Sequence, residues 1–148
     1  MRPRRRRACQ ELLIPSDTSF LGLVRDLAKK MARNAGFDAA VADQVALAVD
    51  EATTNVLEHA YHDARDRRVA VRFEDRGPEL CVEIEDDGAR VDPGLFPKVD
   101  LERYTQERRK GGLGVHLIGK IMDSVNFERR QRRNVCCLVK HKPVSPGA

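Results

Sequence analysis

Residues 50–61 read Asp50-Glu51-Ala52-Thr53-Thr54-Asn55-Val56-Leu57-Glu58-His59-Ala60-Tyr61, and the reading of this stretch decides the fold. Val41, Val45, Ala48, Val49, Ala52 and Val56 recur at three- and four-residue intervals through it, which predicts an amphipathic helix from just after Phe37, with Asp38 as cap, to about His59. Four positions separate Glu51 from Asn55, so the two share a face one turn apart, in a row that starts at Leu47 and ends at His59. That row stands roughly 100° from Ala52, at the border of the apolar stripe. A carboxylate placed there can accept a proton or orient a hydroxyl, and the amide oxygen is a hard ligand for Mg2+. Taken alone, an E-x-x-x-N pair is equally the solvated face of any helix.

Toward the N-terminus, residues 11–14 predict a short strand, and Ser16 and Asp17 are N-cap candidates for a helix over 18–34. Its apolar positions are Phe20, Leu23, Val24, Leu27 and Met31, and Gly36 ends it. In the other direction, strands over 69–74 and 80–85 are joined by Asp75-Arg76-Gly77-Pro78, a good hairpin turn. Residues 86–110 carry Gly88, Pro93, Gly94 and Pro97 with little periodicity. At about 25 residues this connection exceeds what a compact domain leaves structureless, and it predicts a functional lid. A third helix from Gly111 to about Met122 and two strands, 124–128 and 135–140, around a basic turn complete the chain. The order strand, helix, helix, hairpin, lid, helix, hairpin predicts an α+β two-layer sandwich, with helices on one face of a mixed, mainly antiparallel sheet.

Two further elements carry chemistry. In Ile84-Glu85-Asp86-Asp87-Gly88 a strand delivers an acidic side chain into a glycine. A buried carboxylate accepts from an exocyclic amino group and repels a carbonyl oxygen, so Asp86 can select adenine over guanine while Gly88 lets the backbone approach the ring. The same residues would also suit a common acidic turn. Lys110-Gly111-Gly112-Leu113-Gly114 runs directly into a helix, where freed N–H groups and the helix N-terminus make an anion site. Arg108 and Arg109 add charge beside it, although three glycines can also serve as a hinge. Residues 114–120 mimic the start of a P-loop, but Ile121 stands where Ser or Thr must hold Mg2+, and the stretch lies inside a helix pattern.

Composition narrows the field. A chain of 148 residues suits one domain and is too short for a two-domain enzyme or a (β/α)8 barrel. No apolar stretch reaches membrane-spanning length, and the N-terminus lacks the apolar region of a secretory signal, so a cytoplasmic protein is expected. The net charge of +4 belongs to the tail: without Arg2, Arg4, Arg5, Arg6 and Arg7 it becomes about −1. Residues 1–8 are read as a disordered basic tail, 9–142 as the domain and 143–148 as a C-terminal tail. No aromatic residues interleave with the basic clusters, so nucleic-acid binding has little support. The four cysteines form no C-x-x-C pair, and Cys136 and Cys137, adjacent in a strand, should point to opposite faces; all are read as small buried hydrophobes. His59, His62 and Glu58 lack the further ligands of a structural metal site.

The order of the three elements is what makes them specific. E-x-x-x-N on a helix, D-x-G after a hairpin strand, a lid and then G-G-L-G opening a helix resembles the nucleotide site of the GHKL ATPase superfamily. Within it, residues 50–61 (DEATTNVLEHAY), 85–93 (EDDGARVDP) and 111–125 (GGLGVHLIGKIMDSV) resemble the small anti-sigma-factor serine/threonine kinases, over nearly the whole chain from about 11 to 140. The resemblance implies a Bergerat-type ATP-binding fold, Glu51 as general base or hydroxyl-orienting carboxylate, Asn55 as a Mg2+ ligand and Asp86 and Gly88 as adenine contacts. It implies Gly112, Leu113 and Gly114 as the phosphate-binding turn, flanked by Lys110 and Gly111. The implied reaction transfers the ATP γ-phosphoryl to a serine or threonine of an anti-anti-sigma partner with a STAS-type domain, with sequestration of a sigma factor and a homodimeric assembly. The alternatives are a non-catalytic ATP-binding module that holds a protein partner, and a nucleic-acid-associated protein in which the tail matters most.

Overall fold

The computed structural model describes residues 9–62, 64–88 and 113–144. In order these form β1 (Cys9–Pro15), a 3-10 turn (Thr18–Phe20), α1 (Leu21–Asn34), α2 (Ala39–Asn55), a π-helical turn (Val56–Ala60), β2 (Arg68–Asp75), β3 (Glu79–Asp86), α3 (Leu113–Ile121), β4 (Ser124–Arg130) and β5 (Arg133–His141). The sheet runs β1-β2-β3-β5-β4, and its neighbours pair antiparallel throughout. The α+β two-layer sandwich is therefore present, with all described strand pairings antiparallel.

Alternation along the strands builds the two faces. Val71 opposes Ile84 and Phe73 opposes Val82, which in turn faces Leu138; all five are fully buried beneath the helices. The opposite face carries charged residues. Arg72 binds Glu85 and Glu11, Arg133 binds Glu85, and Arg130 binds Glu83 and Glu128, so the face turned away from the described helices carries an ion-pair ladder. In the β2–β3 turn Gly77 takes φ +91° and its N–H donates to Asp75 Oδ1 at 3.0 Å, as the turn tetrad predicts. The β4–β5 turn places Gln131 and Arg132 at φ +48° and +66°, the mirror-image geometry that matches strand twist.

The helices differ in detail from expectation. Asp38 caps α2 by accepting from Val41 N–H at 2.8 Å. Asp17 caps the 3-10 turn by accepting from Ser19 N–H at 2.9 Å, whereas Ser16 is buried and bonds to Ala64 O and the Arg67 N–H instead. Residues 18–20 form the 3-10 turn, so the α-helix starts at Leu21. The core stripe of α1 is Val24, Ala28, Met31 and Ala32, while Phe20 and Leu23 are exposed. The small Ala28 and Ala32 allow α1 to lie close against α2, with which it packs most extensively. On α2 the buried set is Ala42, Val45, Ala46, Ala48, Val49, Ala52 and Thr53, with Val41 only partly covered. Of the four cysteines expected to be buried, Cys81 and Cys136 are, whereas Cys9 is exposed and Cys137 is only partly covered.

Candidate nucleotide site

Helix α2 packs between α1 and α3 and carries the quoted motif to the edge of the sheet. Inside it, Thr53 and Thr54 bond their hydroxyls to the carbonyls of Val49 and Asp50, each at 2.8 Å, which satisfies them within the helix and leaves the polar row to Glu51 and Asn55. The helix ends at Asn55 in a π turn closed by Tyr61 N–H to Val56 O at 3.1 Å. Such turns re-aim side chains at helix ends. Asn55, Val56, His59 and Ala60 thereby line a cavity of about 180 Å3 whose other wall includes Asp86, Ile118, Phe127, Asn134 and Cys136. A cavity of about 150 Å3 holds a benzene ring, so this one has room for a flat heterocycle.

Asp86 ends β3 and is 4% exposed. Its Oδ1 accepts from the Gly88 N–H and from Asn134 Nδ2, both at 2.9 Å. Burial raises its pKa, and these two donors work against the rise. The Gly88 requirement is steric: a Cβ there would stand 2.6 Å from Ala60 O, so only glycine lets the D-x-G turn meet the π turn. Behind the turn, the Tyr61 hydroxyl lies within reach of Arg68 O and of Asp87 Oδ1 (2.8 Å) and accepts the Asp87 N–H (3.0 Å). Arg67 pairs with Asp87 at 2.8 Å and sits 5.0 Å from the Tyr61 ring centre. Arg67, and then Tyr61, hold the Asp87 carboxyl below its ordinary range.

Glu51 is half-buried, one turn before Asn55, and is not among the residues lining the cavity. Desolvation, then the charges of Asp50 and Glu58, raise its pKa, the direction a general base working near neutrality requires. Leu113 and Gly114 open α3, which sends Ile118 into the cavity wall; Lys110, Gly111 and Gly112 lie outside the described residues. The structure thus brings Asn55 and Asp86 to one cavity and sets Gly88 against Ala60 of the π turn in its wall. Sequence reasoning missed Asn134, Arg129 and Arg67 and gave Tyr61 no role. Asn134 is the register partner of Asp86 on β5, and Arg129 reaches Asn134 Oδ1 at 3.0 Å. That pairing joins strands distant in the chain, and no local signal marks it.

The residues fit ATP as substrate: a buried carboxylate with an oriented oxygen, a largely apolar cavity and a glycine that keeps the turn close. Among the described residues no group of three or more His, Cys, Asp or Glu side chains could hold a metal. Asn55 contributes the α2 amide side chain to the wall of the same cavity as Asp86.

The profile of the histidine kinase-like ATPase domain matches residues 14–140. The chain is 29% identical over 123 residues to the serine-protein kinase RsbW of Halalkalibacterium halodurans, covering 80% of this chain and 74% of that protein. It is 32% identical over 123 residues to the serine-protein kinase RsbW of Bacillus velezensis, covering 80% and 76%. Among solved structures, the blue-light activated histidine kinase of Erythrobacter litoralis EL346 superposes with a TM-score of 0.53 at 21% identity, over 86% of this chain. The chain spans 42% of that kinase, and the likeness is one of fold. Matched over residues 14–140 and related to RsbW along most of its length, the chain belongs to the histidine kinase-like ATPase domain family, among the RsbW serine-protein kinases.

Proposed function

We propose that this protein is an ATP-dependent serine/threonine protein kinase and anti-sigma factor of a partner-switching system, phosphorylating a STAS-type anti-anti-sigma partner. The observation that carries the proposal is the buried Asp86 carboxylate, oriented by Gly88 and Asn134, in the same cavity as Asn55. In this reading Asp86 accepts the adenine amino group, and Gly88 keeps the turn against Ala60 O. Asn55 shares Mg2+ with the phosphates, and the ion, when bound, neutralises charge on the transferring group. Phosphate binding is assigned to Leu113 and Gly114, which open α3, and to Lys110, Gly111 and Gly112, which lie outside the described residues. Glu51 orients the partner hydroxyl and takes its proton. Phosphoryl transfer asks mainly for positioning and charge neutralisation, which this set of residues supplies.

A sigma factor as second partner, a homodimeric assembly and a cytoplasmic location belong to the same proposal. No helix among the described residues is long and apolar enough to cross a membrane. One observation favours a second reading, a module that uses ATP as a conformational ligand without transferring phosphate: Glu51 is not among the cavity-lining residues. Calorimetric titration with Mg·ATP is the test common to both. Saturable binding that weakens in Asn55→Ala supports them, and an absence of heat with the folded wild type overturns both. Label transferred to the partner then selects the kinase, and a nucleotide-dependent complex without label selects the module.

A further inference from the structure

Away from the cavity, on the sheet face turned away from the described helices, two thiols meet. Cys81 on β3 and Cys137 on β5 hold their sulfurs 3.2 Å apart. They are not register partners, since Cys81 faces Val139 and Cys137 faces Glu83, so the pair lies diagonally across the ladder. Their exposures differ: Cys81 is 2% exposed, and Cys137 is partly open to solvent. The hydrogen bond with Cys81 lowers the Cys137 thiol, burial and Glu83 oppose this, and Arg76 and Arg130 add to the lowering. Cys136 points to the other face, where burial pushes its thiol up to about 12. A partly exposed thiol shifted downward and backed by a buried second thiol in contact is the arrangement that oxidation by peroxides selects.

We propose that Cys81 and Cys137 form a peroxide-oxidisable dithiol, a modification site separate from the nucleotide cavity, in which Cys137 is oxidised first and Cys81 resolves it. The Cys137 thiolate attacks one oxygen of a hydroperoxide; the O–O bond breaks, an S–OH bond forms, and the leaving alkoxide or hydroxide takes up the proton the thiol released. The Cys81 sulfur then attacks the Cys137 sulfur, the S–O bond breaks, and hydroxide departs with the Cys81 proton as water. Two thiols are oxidised by two electrons in total, and the hydroperoxide is reduced to its alcohol and water, or to two waters from hydrogen peroxide. Diagonal residues on antiparallel strands stand about 7–8 Å apart at Cα, beyond the usual span of a disulfide. The bond must therefore draw β3 and β5 together, and such a bond is readily returned to thiols by thiol exchange.

The test uses the full chain. Reduced protein is treated with hydrogen peroxide, alkylated in denaturant and mapped by peptide mass. The expected result is an intrachain crosslink between the Cys81 and Cys137 peptides, with the four cysteines of the chain falling to two alkylatable thiols. Glutathione restores all four. In Cys81→Ser the oxidation stops at a Cys137 sulfenic acid that dimedone labels, and in Cys137→Ser neither the crosslink nor a label on Cys81 appears. Oxidation confined to Cys9 between chains, or Cys137 advancing to the sulfinic acid while Cys81 stays alkylatable, overturns the proposal, as does a crosslink that glutathione leaves intact.

Discussion

Replacing Asp86 by asparagine isolates the proposed reading of the base. The substitution is nearly isosteric, and an amide oxygen in the Oδ1 position keeps the donors from Gly88 N–H and Asn134 Nδ2, both at 2.9 Å. The other terminal atom changes from an acceptor into an NH2 donor that meets the adenine amino group. Losing a hydrogen bond to a charged group costs about 1.5–3 kcal/mol, and leaving a buried donor against a donor costs about 1–3 kcal/mol more. At about 1.4 kcal/mol per decade, ATP affinity should fall by about two to four orders of magnitude. Folding should survive, because burial raises the Asp86 pKa and the variant removes a disfavoured charge. Titration calorimetry with ATP and with inosine triphosphate, which has a carbonyl in place of the amino group, reads the effect directly. Wild type should prefer ATP, and Asp86→Asn should lose that preference. Unchanged ATP affinity in a variant that unfolds like wild type would refute the assignment.

Other residues give independent checks. Gly88→Ala should lower stability by about 1–3 kcal/mol in thermal or urea unfolding, because its Cβ would stand 2.6 Å from Ala60 O and the two turns must separate. Asn134→Ala leaves Asp86 one donor short and should weaken ATP binding by about 1–2 kcal/mol, measured by calorimetry, with little change in partner binding. Asp50 shows a pKa raised by burial, opposed by Arg25 at 3.6 Å, and its Oδ1 is buried with no hydrogen-bond partner. The folded state therefore binds the Asp50 proton more tightly than the unfolded chain, and this contribution to stability is lost as pH rises through the raised pKa. Asp50→Asn should be more stable than wild type at neutral pH, with the difference shrinking as pH falls toward the ordinary value of 3.8.

The fold was legible where one period dominates a segment. The alternation of Val69, Val71 and Phe73 and of Leu80, Val82 and Ile84 produces the central hairpin, and Asp75 and Gly77 make its turn. The three- and four-residue spacing of α2 places Glu51 and Asn55 on the face that was expected. Less legible was α1, where Ala28 and Ala32 win the buried positions from Leu23 and Phe20 because helix-to-helix approach favours small side chains over hydrophobic ones. The candidate site divides in the same way. Asp86, Gly88 and Asn55 announce themselves by local motif, whereas Asn134 enters through cross-strand register and Arg67 through a loop that folds back on Tyr61. The thiol pair was hidden for the same reason: Cys81 and Cys137 meet only because β5 inserts between β3 and β4.

Phosphoryl transfer from γ-labelled Mg·ATP to a STAS-type partner domain, with wild type and Glu51→Ala compared at equal ATP occupancy, tests the central claim most directly. The account predicts label on a partner serine or threonine with wild type, and a loss of transfer by Glu51→Ala of about two orders of magnitude or more with nucleotide binding retained. Equal transfer by both proteins would contradict the role of Glu51. A partner left unlabelled by ATP-saturated wild type would contradict the kinase itself.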